Sequence, residues 1–319
     1  MGDEPQRTAD FAKDLAYEDL LRQLNDAWAE LELGPSPTHP ERPMLFIVGA
    51  PRSGTTLGYQ LLASSRRFGF PSNIVARFHR NPALGLSVQA LLEPLLPAPV
   101  QTWQSRAGWT QGWREPHEFT YFWNRHLCFG DHHQPSTESL SSLDPAPLRS
   151  ELAAMEQAAG SALLFKNLVL DFAVPHLARV LPSARFLWVR RDPFDVSSSI
   201  LRLRQEFHGD VRAWTSVRPR DFRAWSSLEP EDQVAHQLAS IDAALESARG
   251  GLETSRWLTV DYRELCASPA DFVQRACGLA GLESAECELA FEAFTPTSAP
   301  RQGASAARLV RALAERGLC

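Results

Sequence analysis

Two short stretches of this chain combine residue types and spacing suited to holding anionic oxygens. The first is Gly49-Ala50-Pro51-Arg52-Ser53-Gly54-Thr55-Thr56, directly after the apolar run Met44–Val48 and ahead of a helical pattern. It matches the phosphate-loop pattern G-x-x-x-x-G-K-[ST] except that Thr55 stands where the lysine belongs. The backbone logic is intact: glycines permit a tight turn, and the amides at the helix start face an anion. Arg52 adds a permanent cation with a fork of donors. A nucleoside triphosphate with magnesium commonly needs the missing lysine, so this loop suits a less highly charged terminus.

The second stretch is Arg190-Arg191-Asp192-Pro193-Phe194-Asp195-Val196-Ser197-Ser198-Ser199, after the apolar run FLWV. A nucleotide kinase often ends a nearby strand on an aspartate that supports magnesium, whereas this one ends on two arginines. Pro193 opens a helix, and Ser199 falls nearly two turns along it, on a face that looks back toward the arginines.

These two motifs resemble those of the sulfotransferases that use 3'-phosphoadenosine 5'-phosphosulfate (PAPS). Their 5'-phosphosulfate loop commonly reads PRSGTT after a buried strand, and Pro51 to Thr56 is that string. Their 3'-phosphate motif is Arg-Asp-Pro with a serine eight residues beyond the arginine, met by Arg191 and Ser199. The resemblance implies that Arg52, Ser53, Gly54, Thr55 and Thr56 bind the 5'-phosphosulfate and that Arg191 and Ser199 bind the 3'-phosphate. VDYREL resembles the approach often written YEDL, which implies a nucleotide contact for Tyr262, otherwise a core residue. Arg301-Gln302-Gly303 resembles a C-terminal Arg-x-Gly loop that closes over the 3'-phosphate, although the flanking sequence departs from the longer form.

Sulfuryl transfer needs an in-line nucleophile, a base for its proton and a cation for charge gathering on the bridging oxygen. Lys166 follows the run ALLF and so projects at the C-terminal edge of a parallel sheet, where ligands bind. A strand-end lysine at a matching distance before the Arg-Asp-Pro motif is a feature of the family. The glutamate that the tyrosylprotein branch carries after its loop arginine is replaced here by Asn73. The base candidates are therefore Glu115, His117 and Glu118 in GWREPHEFTYFW, with His117 first because an imidazole titrates near neutral pH. Transfer to a hydroxyl of a small-molecule acceptor would release 3'-phosphoadenosine 5'-phosphate (PAP) and require no metal. The cluster His126, Cys128, Asp131, His132 and His133 fits no common zinc spacing and reads as a loop of solvated histidines. Trp103, Trp109, Trp113, Phe119, Phe122 and Trp123 line an acceptor site or form a core beneath it. A small-molecule kinase and a non-catalytic nucleotide-binding module are the rival readings.

These residues need a scaffold, and the apolar pattern supplies one. Short runs at 44–48, 162–165, 186–189 and 257–260 alternate with helical patterns near 55–65, 174–181, 194–206, 231–249 and 269–280. Such alternation predicts an α/β fold with a central, mostly parallel sheet flanked by helices. Residues 9–33 read as an amphipathic helical lead-in on Phe11, Leu15, Leu20, Leu24, Trp28 and Leu31, followed by a Pro-rich linker to residue 43. Residues 44–319 then form a single domain whose insertion, around 66–160, builds the acceptor pocket, with 134–147 as a mobile loop.

Composition is consistent with this. The 319 residues are 44% hydrophobic and 22% charged, with a net charge of −6, which argues against a nucleic-acid partner. Five dispersed cysteines without a CxxC pair suit a reducing compartment. The polar N-terminus and the lack of a long apolar run predict a cytoplasmic protein without a signal peptide or membrane span.

Overall fold

The computed structural model describes residues 6–31, 34, 37–96, 102–282 and 292–318. Strand β1 is Met44–Val48, followed by β2 (Phe68–Gly69), β3 (Ser105–Arg106), β4 (Trp109–Thr110), β5 (Ala162–Lys166), β6 (Ala184–Arg190) and β7 (Trp257–Asp261). Five of these form one sheet in the order β2-β5-β1-β6-β7, with every pair parallel. The remaining two, β3 and β4, make a separate antiparallel hairpin.

The central position of β1 follows from its sequence, since all five residues are apolar and buried. Successive side chains point to opposite faces. Met44, Phe46 and Val48 enter one core, and Leu45 and Ile47 the other. Phe46 lies in register with Phe165 and Phe186, and the rings stack at centroid distances of 5.4 and 5.6 Å.

Parallel strands need crossover connections, and helices supply them. The chain runs through α1 (Leu15–Trp28), α2 (Thr55–Ser64), α3 (Pro82–Leu92), α4 (Thr120–Leu127), α5 (Thr137–Ser141) and α6 (Ala146–Ala159). It continues with α7 (Val174–Val180), α8 (Pro193–His208), α9 (Pro230–Gly250), α10 (Tyr262–Ala267), α11 (Pro269–Leu279) and α12 (Ala304–Ala314). The β1 side bearing Leu45 and Ile47 packs on residues of α2, α10 and α11, and the opposite side on residues of α4 and α6 to α9. Start signals act locally. Asp192 accepts hydrogen bonds from the amides of Phe194 and Asp195, and Pro193 occupies the first turn of α8.

Three expectations change. The lead-in is a short 3-10 turn, Ala9–Phe11, and a separate α1 capped by Asp14. That helix buries Leu21 and Asn25, leaving Leu15, Leu20 and Leu24 exposed. Asn25 anchors it, donating from Nδ2 to the Arg77 carbonyl at 2.7 Å and accepting from the Arg80 amide at 3.0 Å. Hydrogen bonding thus decides which face turns inward, and an apolar count misses it. The segment 134–147 is not an open loop: Ser136 caps α5 and Leu140 is buried. The histidines near 126–133 are not simply solvated, because His126 packs on Phe122 at 4.7 Å and burial lowers the His133 pKa to about 4. Among the described residues, no helix is long and apolar enough to cross a membrane.

Candidate active site

The loop after β1 depends on backbone conformations that few residues adopt. Gly49 has φ 139°, Arg52 φ 68° and Gly54 φ 102°. A β-carbon on Gly49 would lie 2.6 Å from the Val189 carbonyl, and one on Gly54 only 2.4 Å from the Tyr262 ring. Both positions therefore require glycine. Helix α2 starts at Thr55 with no side-chain cap, so its first amides remain available to an anion. Beneath the loop, Asp171 is fully buried and accepts from the Gly49 amide at 3.1 Å. Burial pushes its carboxyl well above the usual range, against the pull of the Gly49 amide and Lys166.

The arginine motif meets this loop directly. Arg191 donates from Nη1 to the Arg52 carbonyl at 2.8 Å and from Nη2 to the Thr297 hydroxyl at 3.0 Å. Its guanidinium lies 4.6 Å from the centre of the Tyr262 ring. Arg52 donates from Nε to the Ser199 hydroxyl at 3.0 Å, and Arg202 reaches the same oxygen at 3.4 Å. Desolvation, then Arg202 and Arg191, depress the Arg52 pKa. Gathered cations of this kind favour an anion between them. Arg190 points elsewhere, toward Glu246 and the Trp188 ring. Arg301 lies behind the motif, donating to Asp192 at 2.7 Å and covering Phe194, and does not line the cleft. Ser53 is buried, and its hydroxyl has no partner among the described residues.

Lys166 ends β5 and is 3% exposed. Its ammonium pairs with the Glu118 carboxylate. The neighbouring Asn167 fixes this arrangement, donating to the Glu118 carbonyl at 3.0 Å and to the Thr120 hydroxyl at 3.1 Å. Gly108, in the β3–β4 turn, faces the same corner. A β-carbon there would sit 3.7 Å from Glu118 Oε1 and 3.9 Å from Thr56 Oγ1, so both oxygens face one small space.

The other two base candidates are engaged elsewhere. His117 accepts at Nδ1 from the Phe119 amide at 2.8 Å, and burial lowers its pKa to about 4. Glu115 is buried and accepts from Gln60 at 2.8 Å. Asn73 holds the hairpin, donating to the Gly112 carbonyl at 2.8 Å.

The loop, the arginine motif and the strand-end lysine meet at a cleft of about 650 Å³. Arg52, Thr55, Thr56, Lys166, Glu118 and Arg191 line it, whereas His117, Glu115, Ser53 and Ser199 do not. Trp103 and Trp109 reach it, while Phe119, Phe122 and Trp123 lie in the core. Sequence reasoning missed Arg7, Lys13, Thr295 and Thr297 at the rim and Asp171 beneath the loop. None of these belongs to a recognisable local motif. Among the described residues, no group of three or more His, Cys, Asp or Glu stands together as a metal site.

Known structures share this architecture. A sulfotransferase of Mycobacterium avium, STF9, superposes with a TM-score of 0.51 at 17% identity, covering 94% of this chain and 72% of its own. Another, STF1 of Mycobacterium tuberculosis, gives 0.52 at 18% identity, covering 78% and 70%. At these identities the likeness is one of fold. No curated protein matches the sequence. The model of the sulfotransferase family matches residues 43–286, most of the chain, and the protein belongs to that family.

Proposed function

We propose that this protein transfers the sulfuryl group of PAPS to a hydroxyl of a small-molecule acceptor and releases PAP. The observation that carries this reading is the meeting, in one cleft, of an uncapped helix start, Arg52 in the loop before it, the buried strand-end Lys166 and the Glu118 carboxylate. The amides of Gly54 to Thr56 and the Arg52 guanidinium hold the 5'-phosphosulfate, with Ser53 behind the loop, its amide donating to the Ala50 carbonyl at 3.2 Å. Arg191 and Ser199 hold the 3'-phosphate, Tyr262 backs Arg191, and Arg301 steadies Asp192 at the motif's rear. The acceptor oxygen forms its bond to sulfur as the bond from sulfur to the bridging phosphate oxygen breaks. Glu118 takes the hydroxyl proton, and Lys166 neutralises the departing oxygen.

Glu118 replaces His117 as the favoured base because it lines the cleft beside Lys166, whereas the His117 Nδ1 is already used. Residues 44–319 form one catalytic unit, with the acceptor pocket built from the insertion around 66–160 and residues 1–43 as a lead-in. The reading also places the enzyme in the cytoplasm, without nucleic-acid partners.

The test is transfer of labelled sulfuryl from PAPS to a panel of phenols and alcohols, with and without excess EDTA. PAP-releasing transfer undiminished by EDTA is expected. Magnesium-dependent consumption of ATP in its place would support the kinase reading, and PAP binding without turnover the non-catalytic module.

A further inference from the structure

The cleft extends beyond the residues assigned to the donor. Along α8, Phe207 lies eight residues past Ser199, which at helical rise is about 12 Å further from the arginine motif. There the N-terminal segment packs against the end of α8. The Thr8 amide donates to the Phe207 carbonyl at 2.9 Å, and Phe11 is buried against Phe207 with ring centroids 4.3 Å apart. This apposition brings Arg7 and Lys13 to the cleft wall.

Neither cation has a carboxylate partner among the described residues. The Arg7 guanidinium lies 5.1 Å from the centre of the Phe207 ring, and Lys13 donates to the Tyr121 hydroxyl at 3.4 Å. Asp10 pairs with Arg106 at 2.8 Å, and Glu18 reaches Lys13 only through the Tyr121 hydroxyl, from which it accepts. Arg218 and the neutral His133 also line this end, and among the described lining residues the sole carboxylate is Glu118. Trp109, Phe207, Leu203 and Trp214 supply apolar walls. In a chain of net charge −6, a cleft wall that brings Arg7 and Lys13 together beyond the donor loop is a local reversal of sign among the described residues.

We infer that the acceptor is an organic anion, a hydroxy compound with an apolar body and a carboxylate or phosphate, whose charge is read by Arg7 and Lys13. This rests on the sulfotransferase reading for the hydroxyl, but the charge preference is measurable without turnover. The N-terminal segment thereby becomes part of the acceptor site. Arginine forks a carboxylate or phosphate, lysine meets it as a point charge, and the ring walls hold the body between that charge and Glu118.

The test is calorimetric titration of the PAP-loaded full chain with matched pairs: para-hydroxyphenylacetate against its amide, and omega-hydroxyhexanoate against its amide. A further arm, para-hydroxyphenyl phosphate, separates phosphate from carboxylate. Each acid should bind about five- to thirtyfold more tightly than its amide at low salt, with the preference shrinking as salt rises. Arg7→Gln with Lys13→Gln should reduce the preference to within about twofold and leave PAP affinity unchanged. Equal binding of acid and amide, no binding of any pair, or a preference that survives the double substitution overturns the inference. Failure of PAP to bind is a separate result that overturns the donor reading, and the same pairs titrated without PAP still measure the charge preference.

Discussion

Replacing Glu118 with glutamine separates the two jobs assigned to its carboxylate. Lys166 is 3% exposed and has Glu118 as its counter-ion, so Glu118→Gln strands a buried ammonium. Breaking a fully buried pair costs about 3–5 kcal/mol. The Glu118 side chain is 30% exposed, water reaches that end, and the cost falls to about 1–3 kcal/mol. Thermal denaturation should therefore show a melting point lower by several degrees. Adding PAP should recover much of that loss, because the 5'-phosphate gives Lys166 a new partner and no longer faces a neighbouring carboxylate. PAP should consequently bind the variant about three- to tenfold more tightly than it binds the wild type. Turnover should fall about 10²- to 10⁴-fold through loss of the base. Turnover within threefold of the wild type, or weaker PAP binding, would refute this assignment. Such a result together with an inactive His117→Ala would return the base to the imidazole.

Gly54→Ala should destabilise the protein by about 1–3 kcal/mol from backbone strain alone and also weaken PAP binding, because at φ 102° the new methyl meets the Tyr262 ring. Melting curves with and without PAP check both effects, and an unchanged variant would mean that the loop is not built as described. Asp171→Asn should cost less than about 1 kcal/mol, since a neutral amide still accepts from the Gly49 amide, whereas Asp171→Ala leaves that donor unpaired for about 1–3 kcal/mol. Equal losses in chemical denaturation would contradict the role assigned to this hydrogen bond. His117 and His133 each have a pKa lowered from 6.5 to about 4 by burial, so between these values the unfolded chain binds protons that the folded one refuses. Stability should fall as pH drops from 6.5 toward 4, by up to about 1.4 kcal/mol per unit per histidine, and level off below. A slope in this window unaltered by His117→Gln would contradict its neutral state.

Elements with unbroken apolar composition were legible in the sequence. Met44–Val48 is the central strand at the limits its composition predicts, and the runs at 162–165, 186–189 and 257–260 each extend only slightly in the structure. Lys166 closes its strand because ALLF must be buried and the lysine is the first residue able to meet a polar partner. The insertion was much harder to read. Strand β2 has two residues, too few for any periodicity, and exists through pairing with Ala162 and Leu163. The choice between His117 and Glu118 turns on tertiary contacts. Asn167 grips the Glu118 carbonyl, and Phe119 adopts φ 59° at the head of α4. No local pattern encodes either feature. Arg7 and Lys13 reach the cleft because a 3-10 turn and the buried Phe11 bend the chain across α8, where a continuous helix was expected.

The most direct test of the donor assignment is calorimetric titration of the wild type and Arg191→Ala with PAP and with AMP, which lacks only the 3'-phosphate. Charge-assisted hydrogen bonds from Arg191 and Ser199 contribute about 1.5–3 kcal/mol each, so the wild type should prefer PAP by about tenfold to several hundredfold. Arg191→Ala should erase most of that preference, while AMP loses affinity only so far as the loop loses the hydrogen bond from Arg191 to the Arg52 carbonyl. A wild type that binds AMP as tightly as PAP would contradict the 3'-phosphate site and the PAPS-dependent reaction built on it.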